Sequence, residues 1–190
     1  MEAKRNSKNV VLVYLNKKDI TIHHIFTSPK HNYFTRDKFD IGNTPDIEHT
    51  SVELTEGKGL SGDRFEFSKY AITLLSLEVA QEVCETLELD LDIKLFRRNI
   101  IVSGVHLNSL IGKKFTINGV EFEGMAHCSP CVWMNAVMKK GAYALMKGRG
   151  GLRVRVLSDG VVSLGNTTLT SQEEIKENPL TPLRLSKIPS

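Results

Sequence analysis

Apolar and polar positions alternate in short runs along most of this 190-residue chain. Runs enriched in β-branched and apolar side chains at residues 10–14, 20–27, 70–75, 99–103, 115–117, 120–126, 152–157 and 161–164 predict strands. The alternation is plainest where Leu152, Val154 and Val156 take turns with Arg153 and Arg155, because successive strand side chains point to opposite faces. Asn118-Gly119 and Asp159-Gly160 each join two such runs. Both dipeptides tolerate the positive φ of a type I′ turn, so two hairpins are expected there.

The helical signal is sparser. Over residues 76–88, Leu77, Ala80, Val83, Cys84 and Leu87 fall on one face and Ser76 offers an N-cap hydroxyl, which places Cys84 on a buried stripe. A second helical stretch begins near Cys131 with Val132, Trp133 and Met134, weakens around Gly141, and resumes over 142–147 until Gly148 ends it. Cys131 is therefore expected in the first turn of a helix, where unsatisfied N–H groups and the dipole favour a thiolate. Residues 28–50, with Pro29, His31, Asn32, Gly42, Asn43 and Pro45, lack periodicity and read as loop; the tail from 170 reads as a polar extension. Together these signals give a mostly-β chain.

The bulk numbers narrow the function. The length suits one globular domain, taken here as residues 1–190 with 170–190 as a C-terminal extension. Apolar and charged fractions of 41% and 25% sit near the soluble average, which argues against a disordered or fibrous chain. No apolar run approaches the roughly 20 residues that span a bilayer, so no membrane partner is expected. Net charge is only +3 and the basic residues are dispersed, apart from Arg97-Arg98, Lys113-Lys114, Lys139-Lys140 and the cluster from Lys147 to Arg155. That pattern favours a small anionic ligand over nucleic acid. Three cysteines and an N-terminus without an apolar signal core point to the reducing cytoplasm.

Cys128 and Cys131, spaced C-x-x-C after an apolar run, carry the most specific chemistry. The spacing admits a zinc site, which needs two further ligands that no second C-x-x-C or H-x-H pair supplies. It also admits a redox pair, normally at a helix start in an α/β context, a buried pair without chemistry, or a single working thiol at Cys131. His127 beside Cys128 is either a proton donor or a hydrogen-bonded strand end. Arg149, Arg153 and Arg155 form either a solvated strand face or, with the glycines of Gly148-Arg149-Gly150-Gly151, a cradle of N–H groups and guanidiniums for an oxyanion. Gly59-Leu-Ser-Gly62-Asp63-Arg64 adds an acid and base pair between turn glycines.

In order and spacing these pieces resemble the MOSC domain family, named for the C-terminal domain of molybdenum-cofactor sulfurases. The resemblance is carried by Ile25-Phe-Thr-Ser28-Pro29, Gly59-x-x-Gly62-Asp63-Arg64, Phe96-Arg97-Arg98-Asn99-Ile100, Cys128-x-x-Cys131, Gly148-Arg-x-Gly-Leu152-Arg153-x-Arg155-Val156 and Val162-Ser-Leu-Gly165. It covers a core of about residues 22–165 and is to the stand-alone bacterial kind. The fold it implies is mostly β, a β-barrel-like domain with a few peripheral α-helices.

The ligand that the resemblance implies is the molybdenum cofactor, Mo-molybdopterin. Cys131 matches the family's hallmark cysteine, which either ligates molybdenum or passes on sulfur; Cys128 and His127 join it as catalytic candidates. Arg97, Arg98, Asn99, Arg149, Arg153 and Arg155 become candidates for the cofactor's phosphate and pterin oxygens, with Asp63 and Arg64 in the site wall. One implied activity is reduction of N-hydroxylated substrates. Its electrons come from a partner reductase, since no G-x-G-x-x-G fingerprint is present. The other is sulfur carriage, with a persulfide on Cys131 loaded by a partner desulfurase. A third possibility keeps the fold as a binding module without chemistry.

Overall fold

The computed structural model of the protein describes residues 16–31, 44–69 and 71–176. The expected strand at 10–14, Tyr70, Asn32, Gly42, Asn43 and the tail beyond 176 lie outside them. The chain begins with β1 (Asn16–Thr27), then β2 (Ile47–His49), β3 (Ser51–Leu54) and β4 (Ile72–Ser76). Helix α1 (Leu77–Leu87) and a 3₁₀ turn (Ile93–Phe96) lead to β5 (Ile100–Ser103), and a second 3₁₀ turn (Leu107–Leu110) to β6 (Lys114–Ile117) and β7 (Val120–His127). Two short helices, α2 (Met134–Val137) and α3 (Ala142–Met146), precede β8 (Leu152–Val156), β9 (Gly160–Ser163) and β10 (Gly165–Ser171).

Seven strands close into a barrel, running β1-β10-β6-β7-β8-β4-β5 and back to β1. Closure depends on the length of β1, whose first half pairs with β10 from Asn16 to Ile22 while Thr21 to Ile25 pair with β5. Beyond β10 the same strand pairs Ile25 to Thr27 with β2. A closed ring leaves no unpaired ladder edge. The β4–β5 pairing is parallel, which requires a crossover, and α1 supplies it. The helix begins where expected: the Ser76 hydroxyl accepts the Val79 N–H at 3.2 Å, and Val79, Ala80, Val83, Cys84 and Leu87 form its buried face.

Alternation along the strands divides the apolar residues into two cores. Ile22, Leu74, Ile100, Phe122, Val154 and their neighbours fill the barrel. Leu75 and Ile101, one position along, face outward with Phe26 into a second core completed by α1, α2 and α3. The fold is thus a mostly-β barrel with peripheral helices. No helix among the described residues is long and apolar enough to cross a membrane.

Several expectations need correction. Asn118-Gly119 makes its hairpin, with φ of 51° and 79°, and Ile117 pairs with Val120 across it. Asp159-Gly160 does not: β9 pairs with β3 through Ser51–Ser163 to Leu54–Gly160, and the Asp159 carboxylate instead accepts the Glu56 N–H at 2.7 Å. The polar stretch at 28–50 contains β2, and β10 extends the barrel to Ser171, past the expected end of the core. Cys131 stands at the edge of the helical stretch and not inside it: its carbonyl accepts the Met134 N–H at 3.0 Å and opens the turn, while α2 itself begins at Met134.

Candidate functional site

Beside the second core, the barrel wall and four connecting segments, one of them carrying His31, enclose a cavity of about 290 Å³. Thr73 of β4 and Arg153 of β8 come from the wall, since they occupy the outward positions between Ile72, Leu74, Leu152 and Val154. The 59–69 loop contributes Arg64 and Phe65, the chain after the first 3₁₀ turn contributes Arg97 and Arg98, and the segment before α2 contributes Cys128 and Cys131. Both thiols are free; Cys131 is exposed and Cys128 only 2% so.

The thiol segment is held from below. The Cys128 N–H donates to the Gly151 carbonyl at 2.7 Å. A Cβ on Gly150 would stand 2.3 Å from the Cys128 carbonyl oxygen, so glycine there lets the two chains touch. The close approach expected of the Gly148–Gly151 turn is therefore made to the protein's own backbone, not to a ligand. His127 belongs to the same support: its Nε2 accepts the Gly150 N–H at 3.1 Å and its Nδ1 meets the Ser129 hydroxyl at 3.2 Å. Burial first, and the Arg98 charge second, lower its pKa and keep the ring neutral, which that accepting nitrogen requires. His127 does not line the cavity.

The arginines separate into two sets. Arg149 pairs with Glu82 at 2.6 Å and donates to the Leu145 carbonyl, tying α3 to α1, and Arg155 pairs with Glu123 on β7. Neither lines the cavity. Arg97 does, yet its guanidinium donates to the Thr44 and Lys30 carbonyls, the Ser28 hydroxyl and the Asp46 carboxylate at 2.7 Å. Arg97 sits at φ 54°, a left-handed turn that sends it and Arg98 to different partners. Arg98 donates to the Gly150 and Phe96 carbonyls, at 2.9 Å each, and meets no carboxylate among the described residues. Arg153 has neither ion pair nor hydrogen bond among them.

Arg64 is half-buried, with its buried Nε unpartnered. Its contact with the Asp63 carboxylate is a long 3.5 Å, and burial pulls its pKa down against the opposing pull of Asp63. Asp63 is occupied elsewhere, accepting from the Ser28 and Phe65 N–H groups and from the Asn99 amide. Asn99 completes a buried network: its Oδ1 accepts from the Thr73 N–H and hydroxyl, and its amide also donates to the Phe26 carbonyl. Neither Asp63 nor Asn99 reaches the cavity surface, so both shape the wall instead of touching a ligand.

Sequence reasoning missed His31, Phe65, Thr73 and Trp133, all of which line the cavity. His31 stands edge-on to Phe65, with ring centres 5.9 Å apart. Burial, then Arg64 and Arg97, lower its pKa. No sequence signal marked it, as it lies in a stretch without periodicity.

Among the described residues, the lining has four arginines and no aspartate or glutamate. An orphaned Arg64 Nε, two guanidiniums without a carboxylate partner and an open thiol fit a phosphate-bearing ligand whose metal takes a soft donor. The volume lies at the small end of ligand cavities, about 300–1,000 Å³. Among the described residues no group of three or more His, Cys, Asp or Glu is placed to hold a bare metal ion, so the zinc reading lacks its ligands.

In fold the protein is similar to the YuaD protein from Bacillus subtilis, with a TM-score of 0.66 at 15% identity, covering 83% of this chain and 99% of that one. It is also similar to YiiM from Geobacillus stearothermophilus, with a TM-score of 0.57 at 17% identity over 89% and 81% of the two chains. None of the curated proteins matches the sequence. The sequence model of the MOSC domain matches residues 36–168, and the chain therefore belongs to the MOSC domain family.

Proposed function

We propose that the chain binds a molybdenum cofactor in this cavity and reduces N-hydroxylated substrates there. The observation that carries the reading is one cavity joining an exposed thiol, Cys131, to Arg64, Arg98 and Arg153, with no carboxylate among the described residues of its lining. Cys131 would hold the metal, a soft thiolate for a soft site, and the three guanidiniums the phosphate and pterin oxygens. When bound, the cofactor supplies two-electron oxygen-atom transfer. The protein's residues bind and orient: Trp133 and Phe65 wall the cavity, and Cys128 and His127 hold the thiol segment in place. Electrons come from a separate reductase.

A second reading is favoured by the exposure of Cys131, because sulfur passes between proteins only through a thiol that a partner can reach. In it, Cys131 carries a persulfide delivered by a desulfurase. One purification separates the two: molybdenum and pterin content per chain for wild type and Cys131→Ser, prepared anaerobically from a host that makes the cofactor. Molybdenum in wild type and none in the variant is the expected result. If neither retains molybdenum, stable cofactor binding fails, and sulfane sulfur on Cys131 decides the carrier reading.

A further inference from the structure

We propose that His31 is a proton-switched anion ligand of the cavity: it takes up a proton when a dianion settles among Arg64, Arg98 and Arg153, and adds a further positive charge to the hold. The inference rests on the reading that this cavity receives an oxyanion. His31 lines the cavity alongside those guanidiniums and both thiols, and follows directly on Lys30, whose carbonyl Arg97 holds at 3.2 Å. Arg97 thereby positions the imidazole while being itself committed to the Ser28, Thr44 and Asp46 oxygens.

Among the described residues, the charges facing His31 come from two segments. Arg64 approaches on the 59–69 loop and Arg97 and Arg98 on the chain after the first 3₁₀ turn. Among the described residues, Asp46 is engaged by Arg97, and Asp63 by Asn99 and two backbone N–H groups. Burial and three cations keep the ligand-free imidazole neutral. A dianion offsets those cations and favours the imidazolium, its proton coming from solvent. Linkage is reciprocal, so protonation of His31 strengthens anion binding by the factor that the anion strengthens protonation. Doubly charged oxyanions are therefore selected over singly charged ones, and affinity rises as pH falls.

Sulfate is the probe, because it stays a dianion throughout, whereas the second ionisation of phosphate falls in the same pH range. Calorimetric titrations near pH 7.5 and 6, each in two buffers of different ionisation heat, report affinity and proton uptake, while NMR follows the His31 ring. Wild type is expected to bind about five- to tenfold tighter at the lower pH, with up to one proton taken up per sulfate, and His31→Asn to show neither effect. His106→Gln keeps the linkage, since His106 does not line the cavity. Affinity in wild type that does not change with pH, or a His31 resonance whose titration sulfate leaves unmoved, overturns the role of His31 and leaves the oxyanion reading standing. Absence of sulfate binding, or binding indifferent to Arg153→Ala, overturns both.

Discussion

Arg149 and Arg153 stand four positions apart and carry the same side chain, yet the fold gives them opposite uses. Arg149 is bound on three sides, to Glu82 and twice to the Leu145 carbonyl. Arg153 touches only the cavity. Arg149→Ala should therefore lower stability by about 1–2 kcal/mol, the worth of a half-buried charged hydrogen-bond set, and leave anion affinity nearly intact. Arg153→Ala should leave the urea midpoint within about 0.5 kcal/mol of wild type. Its sulfate affinity should fall roughly 10- to 100-fold, corresponding to about 1.5–3 kcal/mol for a charge-assisted contact. If Arg149→Ala weakens sulfate binding more than Arg153→Ala does, the division between structural and ligand-facing arginines is wrong. From the sequence both belonged to one basic cluster. The strand alternation that puts Arg153 outward was legible, but the Glu82 that engages Arg149 lies 67 residues away and its pairing was not.

At the level of elements, legibility followed the range of the forces involved. Helix α1 was readable because its cap and buried stripe are local, set by Ser76 and the 3.6-residue period. So was the β6–β7 turn, whose Asn118-Gly119 supplies the positive φ that the hairpin needs. Asp159-Gly160 has equally good turn chemistry, but β9 finds its partner in β3, more than a hundred residues earlier, and the longer-range pairing prevails. Strand β2 is short and mostly exposed, and forms on the part of β1 that runs past β10; β3 alternates over only four residues, Ser51 to Leu54, with Leu54 buried, and takes β9 as its partner. Cys131 stands only at the edge of its expected helical turn, its carbonyl accepting the Met134 N–H, because the bond from the Cys128 N–H to the Gly151 carbonyl keeps the residues before it extended. Gly124 shows the same limit inside a strand. A Cβ there would lie 2.1 Å from the Leu110 carbonyl oxygen, where backbone meets backbone and neither side yields cheaply. Gly124→Ala should cost about 2–3 kcal/mol, or about 4–12 °C in Tm, and a thermal melt matching wild type would show that the second 3₁₀ turn can move away.

The whole molecule should respond to acid through its histidines, and the sign follows from where their protons sit. His31, His106 and His127 all have pKa values lowered in the folded chain, in each case with burial as the first cause. The unfolded chain, with imidazoles near the ordinary value of about 6.5, therefore binds more protons than the native one between that value and the lowered ones. Stability is present in full above the unfolded value, falls as pH drops through it, and levels off below the native values. Asp46 acts in the opposite sense, since burial raises its pKa and its uptake of a proton favours the folded state as pH falls further. The window from about pH 7.5 to 5.5 isolates the imidazoles, and urea midpoints should decline across it. His127→Gln should flatten the decline, because protonation of His127 in the native chain must break the bond it accepts from Gly150. Saturating sulfate should flatten it too, by a different route: an anion that raises the His31 pKa in the native state removes that residue's share of the proton imbalance. The two effects arise on separate rings, one beneath the thiol segment and one in the cavity wall, so they should add. Midpoints for the variant with sulfate that decline as steeply as wild type without it would mean that neither imidazole is held neutral by the fold.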